Sequence, residues 1–281
     1  MNGMLPRACY FDIDGTIVDS SGAIHPKVLE SIDWLHVRNI GVGVATGRPW
    51  FAAKPIAEKI RATVPCLSYS GALLTSPENW KEIHSQALEI NQIRAILTCC
   101  AEFDWYVELY DSDAYYVKAL NHISTIHKEY LHKLPQILDF KDPNQIKGPF
   151  LKAVIVFERS PSPECISEIL RRVPDIEIGI GHGAAHPHIH FLNLTHANTG
   201  RAHGLNYICD ALSCTPKELM AFGDGASDIH FLSTVKWGIA MDNAADEVKS
   251  TASYTAPSVE DQGVYQFLSN FLSTVGNENT P

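Results

Sequence analysis

The chain has 281 residues, of which 45% are hydrophobic and 19% charged, so it can bury one sizeable core or a core plus a smaller domain and does not read as disordered. A formal net charge of −10 argues against non-specific nucleic-acid binding, while leaving room for a small anion in a cleft whose local field opposes the global one. Seven scattered cysteines with no CxxC pair read as reduced thiols of a cytoplasmic protein, and no apolar run suits a signal peptide or a bilayer span.

Residues 8–11 form a short apolar strand ending in an acidic, glycine-containing turn. Residues 26–37 carry Val28, Leu29, Ile32 and Leu35 at helical spacing. Residues 40–45 are β-rich and end at Thr46-Gly47-Arg48; 49–62 reads as the next helix, with Pro49 in its first turn, and 66–69 as a third strand. Alternation of this kind favours a parallel sheet. The texture then changes. Residues 73–85 suit a hairpin broken at 76–79, 91–103 a helix, and 105–109 and 114–117 paired strands; 151–157, 163–172 and 176–180 follow as strand, helix, strand. The first texture returns with a helix over 199–212 and a strand over 219–222 that ends at Gly223-Asp224-Gly225. Residues 229–234, 237–240 and 246–252 continue the alternation, and 262–272 closes as a helix. The layout predicts an α/β fold: a Rossmann-like, doubly wound parallel-sheet core made of residues 1–82 and 190–281, interrupted by an inserted α/β domain over 83–189.

Asp12-Ile13-Asp14-Gly15-Thr16 directly follows the first apolar strand. In open α/β sheets ligands sit beyond the carboxyl ends of the strands, and two acids crowded there are costly unless a cation or a shared proton relieves them. Thr46-Gly47-Arg48 ends a second strand, with a hydroxyl suited to a phosphate oxygen. Gly223-Asp224-Gly225-Ala226-Ser227-Asp228 ends a third and adds two carboxylates beside a helix N-terminus, where free N–H groups suit an anion. Either acid alone would read as a helix cap. Four carboxylates at strand ends are better explained by a hard divalent cation with oxygen ligands, for which Mg2+ is suited.

These motifs, in this order, resemble the haloacid dehalogenase-like superfamily, and more closely the Cof-type phosphatases that carry an α/β cap between the second and third motifs. Gly238-Ile239-Ala240-Met241 with Asn243-Ala244, Glu247-Val248-Lys249 and Asp261-Gln262-Gly263-Val264 extend the resemblance over nearly the whole chain. It implies that Asp12 attacks phosphorus and that Asp14 protonates the leaving oxygen and then activates water. It further implies that Asp12, the Asp14 main-chain carbonyl, Asp224 and Asp228 hold Mg2+, and that Thr46, Gly47, Arg48, Thr199, Arg201, Ser227 and Asn243 surround the phosphoryl group or substrate. The implied activity is hydrolysis of a small phosphorylated metabolite, a sugar phosphate or pyridoxal phosphate, through an aspartyl-phosphate, by a monomer or weak homodimer with no nucleic-acid or membrane partner.

The chain departs from the pattern at three places. Thr199 stands where the family carries a lysine, and a neutral hydroxyl cannot balance Asp12 and phosphate. Arg48 and Arg201 are the candidate replacements, although Arg201 lies two residues later on a helix, where its side chain is expected to point elsewhere. Ser70 and Ser227 stand where the family commonly has asparagine. A thinned phosphate site leaves two other readings, a phosphomutase-like phosphotransferase and a phosphate-ligand-binding protein with a weakened site. Five histidines cluster at positions 182, 186, 188, 190 and 196. His186, His188 and His190 alternate and would share one strand face, but three in-line residues rarely surround one metal ion, so the segment reads as a partly exposed return from the inserted domain, the alternative being that one or two of these histidines face the cleft and contact substrate.

Overall fold

The first strand, β1 (Ala8–Phe11), is apolar and buried at every position, the pattern of a strand covered on both faces. In the computed structural model, which describes residues 5–182 and 188–276, it is followed by α1 (Pro26–Val37), β2 (Gly41–Val44) and α2 (Trp50–Lys59). Three short strands come next, β3 (Cys66–Ser68), β4 (Leu73–Thr75) and β5 (Glu82–Ser85). The insertion then runs through α3 (Ile90–Glu102), β6 (Tyr106–Tyr110), β7 (Tyr115–Val117), α4 (His122–Leu131), β8 (Gln136–Ile137), β9 (Lys152–Phe157), α5 (Pro163–Arg172), β10 (Ile176–His182) and β11 (His190–His196). The chain returns through α6 (Gly200–Leu212), β12 (Leu219–Gly223), α7 (Ile229–Thr234), β13 (Trp237–Met241), α8 (Asp246–Thr251), β14 (Tyr254–Ala256) and α9 (Gly263–Gly276). None of the described helices is long and apolar enough to cross a membrane.

The core sheet has the order β14-β13-β12-β1-β2, with every pair parallel. Alternate residues feed two helical layers, as the period of a strand requires. Cys9, Phe11, Val42, Val44, Phe222 and Ile239 pack with α1 and α9, while Ala8, Tyr10, Leu219, Ala221 and Ala240 pack with α6, α7 and α8. The chain leaves β1 for β2 on one side and later places β12 on the other. Strand order therefore reverses at β1, and the crevice opens there, at the strands' carboxyl ends.

The inserted domain is a six-stranded sheet in the order β10-β11-β9-β6-β7-β8. Its outer face packs on α3 and α5 through Val107, Leu109, Ala153, Ile155, Leu192 and Leu194. Its inner face, with Tyr110, Tyr115, Val117, Val154 and Val156, belongs to the same buried cluster as the core. The Phe51 ring of α2 stacks on Tyr110 and Tyr115 at 6.5 and 6.3 Å between centroids, so the insertion is closed down over the core.

Two expectations change in the structure. Residues 190–196, assigned from sequence to the core, form β11 and pair on both sides within the inserted sheet. β3 touches the parallel sheet only through a bridge between Ala45 and Leu67; its ladder is antiparallel to β4, because the chain turns back at once through Tyr69–Gly71. α4, β8 and β14 are elements that the periodicity of the sequence did not single out.

Gly238 sets a packing limit inside the core. A Cβ there would meet the Leu232 carbonyl oxygen at 1.8 Å, where α7 crosses β13. Gly238→Ala is expected to cost about 1–3 kcal/mol through overpacking. Gly179→Ala, where nothing lies nearer than 3.9 Å, should stay within about 0.5 kcal/mol of wild type. Thermal denaturation of the two variants checks this; equal midpoints would contradict it.

Candidate active site

β1 and β12 lie side by side, with Phe11 opposite Phe222, so the residues that follow them are forced together. The Asp12 amide donates to the Phe222 carbonyl at 2.9 Å, carrying the ladder one residue beyond β1 and fixing Asp12 beside the Gly223-Asp224 turn. Gly15 adopts φ +74, and a Cβ there would fall 2.2 Å from Asp224 Oδ2, so the DxDG turn and the second acidic loop meet at a point that only glycine allows. Asp224 accepts from the Thr16 hydroxyl at 3.3 Å and from Asn243 Nδ2 at 3.2 Å. Asn243 also donates to the Gly15 carbonyl at 2.9 Å and accepts from the Val259 amide at 3.0 Å, tying three loops together. Asp228 closes its own turn by accepting from the Gly225 amide at 3.1 Å.

Oxygen atoms of Asp12, Asp224 and Asp228 lie within 4.8 Å of one another. A set of three carboxylates at this spacing fits a hard divalent cation. The Asp14 carboxylate stands outside that set, and its expected contribution is its main-chain carbonyl. Burial and the neighbouring Asp228 push Asp12 well above the usual carboxylate range, against the pull of Arg201. For the same two reasons Asp224 is pushed up to about 7. Asp228 is raised by burial, with Arg201 and two backbone amides opposing.

Arg201 is the cation of this cluster. One of its terminal nitrogens lies 2.9 Å from Asp12 Oδ1 and 3.0 Å from Asp228 Oδ1, with the guanidinium almost wholly buried. The expectation that a helical position would turn this side chain away is overturned. α6 begins only at Gly200, with Thr199 as its N-cap, so Arg201 lies in the first turn and faces back along the axis toward the strand tips. Nε and Nη1 of Arg201 are buried with no partner among the described residues, leaving donor capacity beside Asp12.

Asp14 is held differently. Arg48 grips its carboxylate with two bonds, Nε to Oδ2 at 2.7 Å and Nη2 to Oδ1 at 2.6 Å. The Tyr130 hydroxyl, from α4 of the inserted domain, donates to Oδ2 at 2.9 Å, and the Arg48 guanidinium lies over the Tyr130 ring at 5.0 Å. Burial and the Asp14 charge raise the Tyr130 phenol further, so it stays a donor. The Thr46 hydroxyl accepts from the Arg48 amide at 3.2 Å. Thr199, expected at the phosphate, borders the cleft but turns its hydroxyl to the His196 carbonyl at 2.7 Å and to the Thr195 hydroxyl at 2.8 Å.

A cavity of about 1470 Å³ opens between these loops and the inner face of the inserted sheet. Asp12, Asp14, Thr46, Gly47, Arg48 and Arg201 border it from the core, together with Ser227. Asn243 does not border it and acts on the loops behind. Tyr130 and Lys152 are among the bordering residues that the sequence did not single out. Tyr130 follows an Asn121–Ser124 capping box and lies on a helix with Ile123, His127 and Leu131 at helical spacing, a signal that was available. Lys152, at the start of β9, donates to the Gly47 carbonyl at 3.3 Å and carried no local signal. Of the histidine cluster, positions 183–187 lie outside the described residues, His188 sits in a turn and His190 opens β11, so no shared strand face for 186, 188 and 190 is described.

A family model of haloacid dehalogenase-like hydrolases matches residues 9–268. The 5-amino-6-(5-phospho-D-ribitylamino)uracil phosphatase YitU of Bacillus subtilis is 24% identical over 278 residues, covering 95% of this chain and 98% of its own. Among solved structures, the subclass IIB sugar phosphatase BT4131 superposes with a TM-score of 0.80 at 22% identity, over 94% of this chain and 98% of that one. A haloacid dehalogenase-like hydrolase from Bacteroides thetaiotaomicron gives 0.82 at 22% identity, over 95% and 99%. The structural likenesses bear on the fold, a parallel-sheet core with a separate sheet domain above it.

The raised carboxyls have a signed consequence. Between about pH 4 and 7 the folded protein holds protons that an unfolded carboxylate has lost, so stability falls as pH rises through this window. In chelator, the thermal midpoint is expected to be several degrees lower at pH 8 than at pH 5, and Asp224→Asn should flatten part of that slope. A divalent cation should raise the midpoint more at pH 8 than at pH 5. A midpoint that climbs from pH 5 to pH 8 in chelator would contradict the electrostatic account.

Proposed function

The chain belongs to the haloacid dehalogenase-like hydrolases and is a phosphatase of that family, and on that premise we propose that it hydrolyses a small phosphorylated metabolite with Asp12 as nucleophile and Mg2+ bound. The observation that carries this reading is the double role of Asp12. It belongs to the carboxylate triad and is paired with Arg201, while it borders a cavity large enough for a phosphorylated metabolite.

In the proposed reaction an Asp12 oxygen forms a bond to phosphorus as the bond to the leaving oxygen breaks. Asp14 gives that oxygen its proton, then takes a proton from the water that attacks phosphorus, releasing phosphate and restoring Asp12. Asp14 must exchange its clasp by Arg48 and Tyr130 for a proton. An incoming phosphoryl group offers both donors a new acceptor, which favours that exchange. The Thr46 hydroxyl and Arg201, which both border the cavity, serve the phosphoryl oxygens. Bound by Asp12, Asp224, Asp228 and the Asp14 carbonyl, Mg2+ supplies neutralisation of charge on the transferring group.

YitU acts on a phosphorylated ribityl compound and BT4131 is a sugar phosphatase. Both names point to phosphate esters of polyhydroxylated carbon chains, the substrate class proposed for this chain. Arg201 weighs against the reading of a weakened, binding-only site, because the cation absent at Thr199 is supplied two residues later.

A magnesium-supplemented screen of sugar and polyol phosphates, with p-nitrophenyl phosphate as a generic ester, tests this. Asp12→Asn is expected to lower kcat at least about 1,000-fold, and Arg201→Ala about 100-fold, the scale of removing one electrostatic contact to the reacting group. Excess chelator should abolish turnover. Asp12→Asn with wild-type rates would sink the proposal.

A further inference from the structure

Lys152 is the first residue of β9, on the face of the inserted sheet that looks into the cleft. Its register partner across β6 is Tyr110, and Val154 follows it on the same face. The side chain is 7% exposed and reaches the Gly47 carbonyl at 3.3 Å, its one hydrogen bond among the described residues. An ammonium has three donors, so two are without a partner among the described residues, on a side chain that borders the cavity.

The ion pairs around this cavity single Lys152 out. Four lysines and arginines border it: Arg48, Lys133, Lys152 and Arg201. Arg48 is matched by Asp14, and Arg201 by Asp12 and Asp228. Neither lysine has an ion-pair partner among the described residues. Lys133 sits over the Phe51 ring at 4.9 Å, at the mouth of the inserted domain's aromatic stack. Glu108, on the neighbouring strand, attracts Lys152 but forms no ion pair with the ammonium; its Oε2 accepts from Tyr110 at 2.5 Å and is bound to His127 at 2.7 Å, and its Oε1 is buried with no partner among the described residues. Glu177, two strands away, forms none either. Burial drags the Lys152 ammonium down to about 8, so the charge is held at a cost that an anion in the cavity would relieve.

Resting on the phosphatase reading above, we propose that Lys152 is a specificity residue that pairs with a second anionic group on the leaving part of the substrate. The preferred substrates are then phosphomonoesters of polyhydroxylated chains that also bear a carboxylate or a second phosphate, rather than neutral sugar phosphates. The first phosphoryl group occupies the core side, by Asp12, Thr46 and Arg201, and the second anion meets the ammonium that the inserted domain brings down.

The test separates binding from turnover. Dissociation constants are measured by titration calorimetry in the Asp12→Asn background for matched ligands: glucose 6-phosphate against 6-phosphogluconate, and fructose 6-phosphate against fructose 1,6-bisphosphate. The two pairs distinguish a carboxylate from a second phosphate. The acid or bisphosphate is expected to bind 10- to 100-fold more tightly, the range of a charge-assisted contact. Asp12→Asn/Lys152→Met should reduce that ratio to about one, and Asp12→Asn/Lys152→Arg should keep most of it. In the wild-type enzyme the same preference should appear in KM more than in kcat. Equal affinities within both pairs, or a preference that survives Lys152→Met, would overturn the proposal. Failure of the wild type to hydrolyse p-nitrophenyl phosphate and every matched ligand would instead strike the phosphatase reading, and the calorimetric ratios would still decide the role of Lys152.

Discussion

Asp12 and Asp228 share one guanidinium at 2.9 and 3.0 Å, and the rest of the site follows from that shortage of positive charge. Burying an unpaired carboxylate costs several kcal/mol even after relaxation. Three carboxylates gather here, and Arg201 supplies a single compensating charge. Three negative charges against one positive leave two formal negatives, to be met by protons or by a divalent ion. The upward displacement of Asp12, Asp224 and Asp228 is the first of these outcomes, and the donor set is suited to the second. One deficit thus accounts both for the pH response of the metal-free fold and for its fitness to bind a cation.

The backbone pays for this crowding at a few glycines. Gly15 and Gly200 have φ of +74 and +84, and Gly71, at +111, is packed so tightly that a Cβ would meet the Gly200 carbonyl at 2.4 Å. The turn after β3 is thereby pressed against the start of α6, the helix whose first turn carries Arg201. Thr199 contributes by capping rather than by charge. Its hydroxyl is bound to Thr195 and His196, and it anchors the end of β11 to the first turn of α6. A lysine there would lose that anchor.

The core was legible because parallel strands are apolar throughout and break at acidic or glycine-rich turns. The strand preceding Asp12, the helix over 26–37 and the Gly223-Asp224 loop all lie where periodicity and turn chemistry put them. Three of the four carboxylates were legible for the same reason, since parallel neighbours must bring their carboxyl ends to one edge; the fourth, Asp14, is drawn off by Arg48 and Tyr130 instead of joining the set. Arg201 was expected to point away because the spacing of positions 199 and 201 turns them to different sides of a helix; the tilt of side chains toward the helix N-terminus lets a long one in the first turn of α6 reach the strand tips. β11 was assigned to the wrong side of the boundary because an alternating His-Phe-Leu-Asn-Leu strand suits either sheet, and only pairing with β9 and β10 decides. Lys152 had no local signature at all. Its importance comes from closure of one sheet over another, which neither periodicity nor motif spacing encodes.

That closure also governs Asp14. In the closed arrangement its carboxylate is claimed by Arg48 from the core and by Tyr130 from the inserted domain, while Lys152 from the inserted domain grips the Gly47 carbonyl beside Arg48. Both sides therefore meet on one short segment, Thr46-Gly47-Arg48, and on the acid it holds. Donors on both sides occupy its two oxygens, whereas a proton donor to a leaving group must have one of them free. On the proposed reading, phosphate is the competitor that resolves this conflict: it takes donors from Asp14, and a second anion on the same substrate takes the remaining donors of Lys152. Two ends of one ligand would then be sensed by two lysine and arginine contacts that share a three-residue loop, so recognition of the leaving part and release of the acid would be mechanically linked.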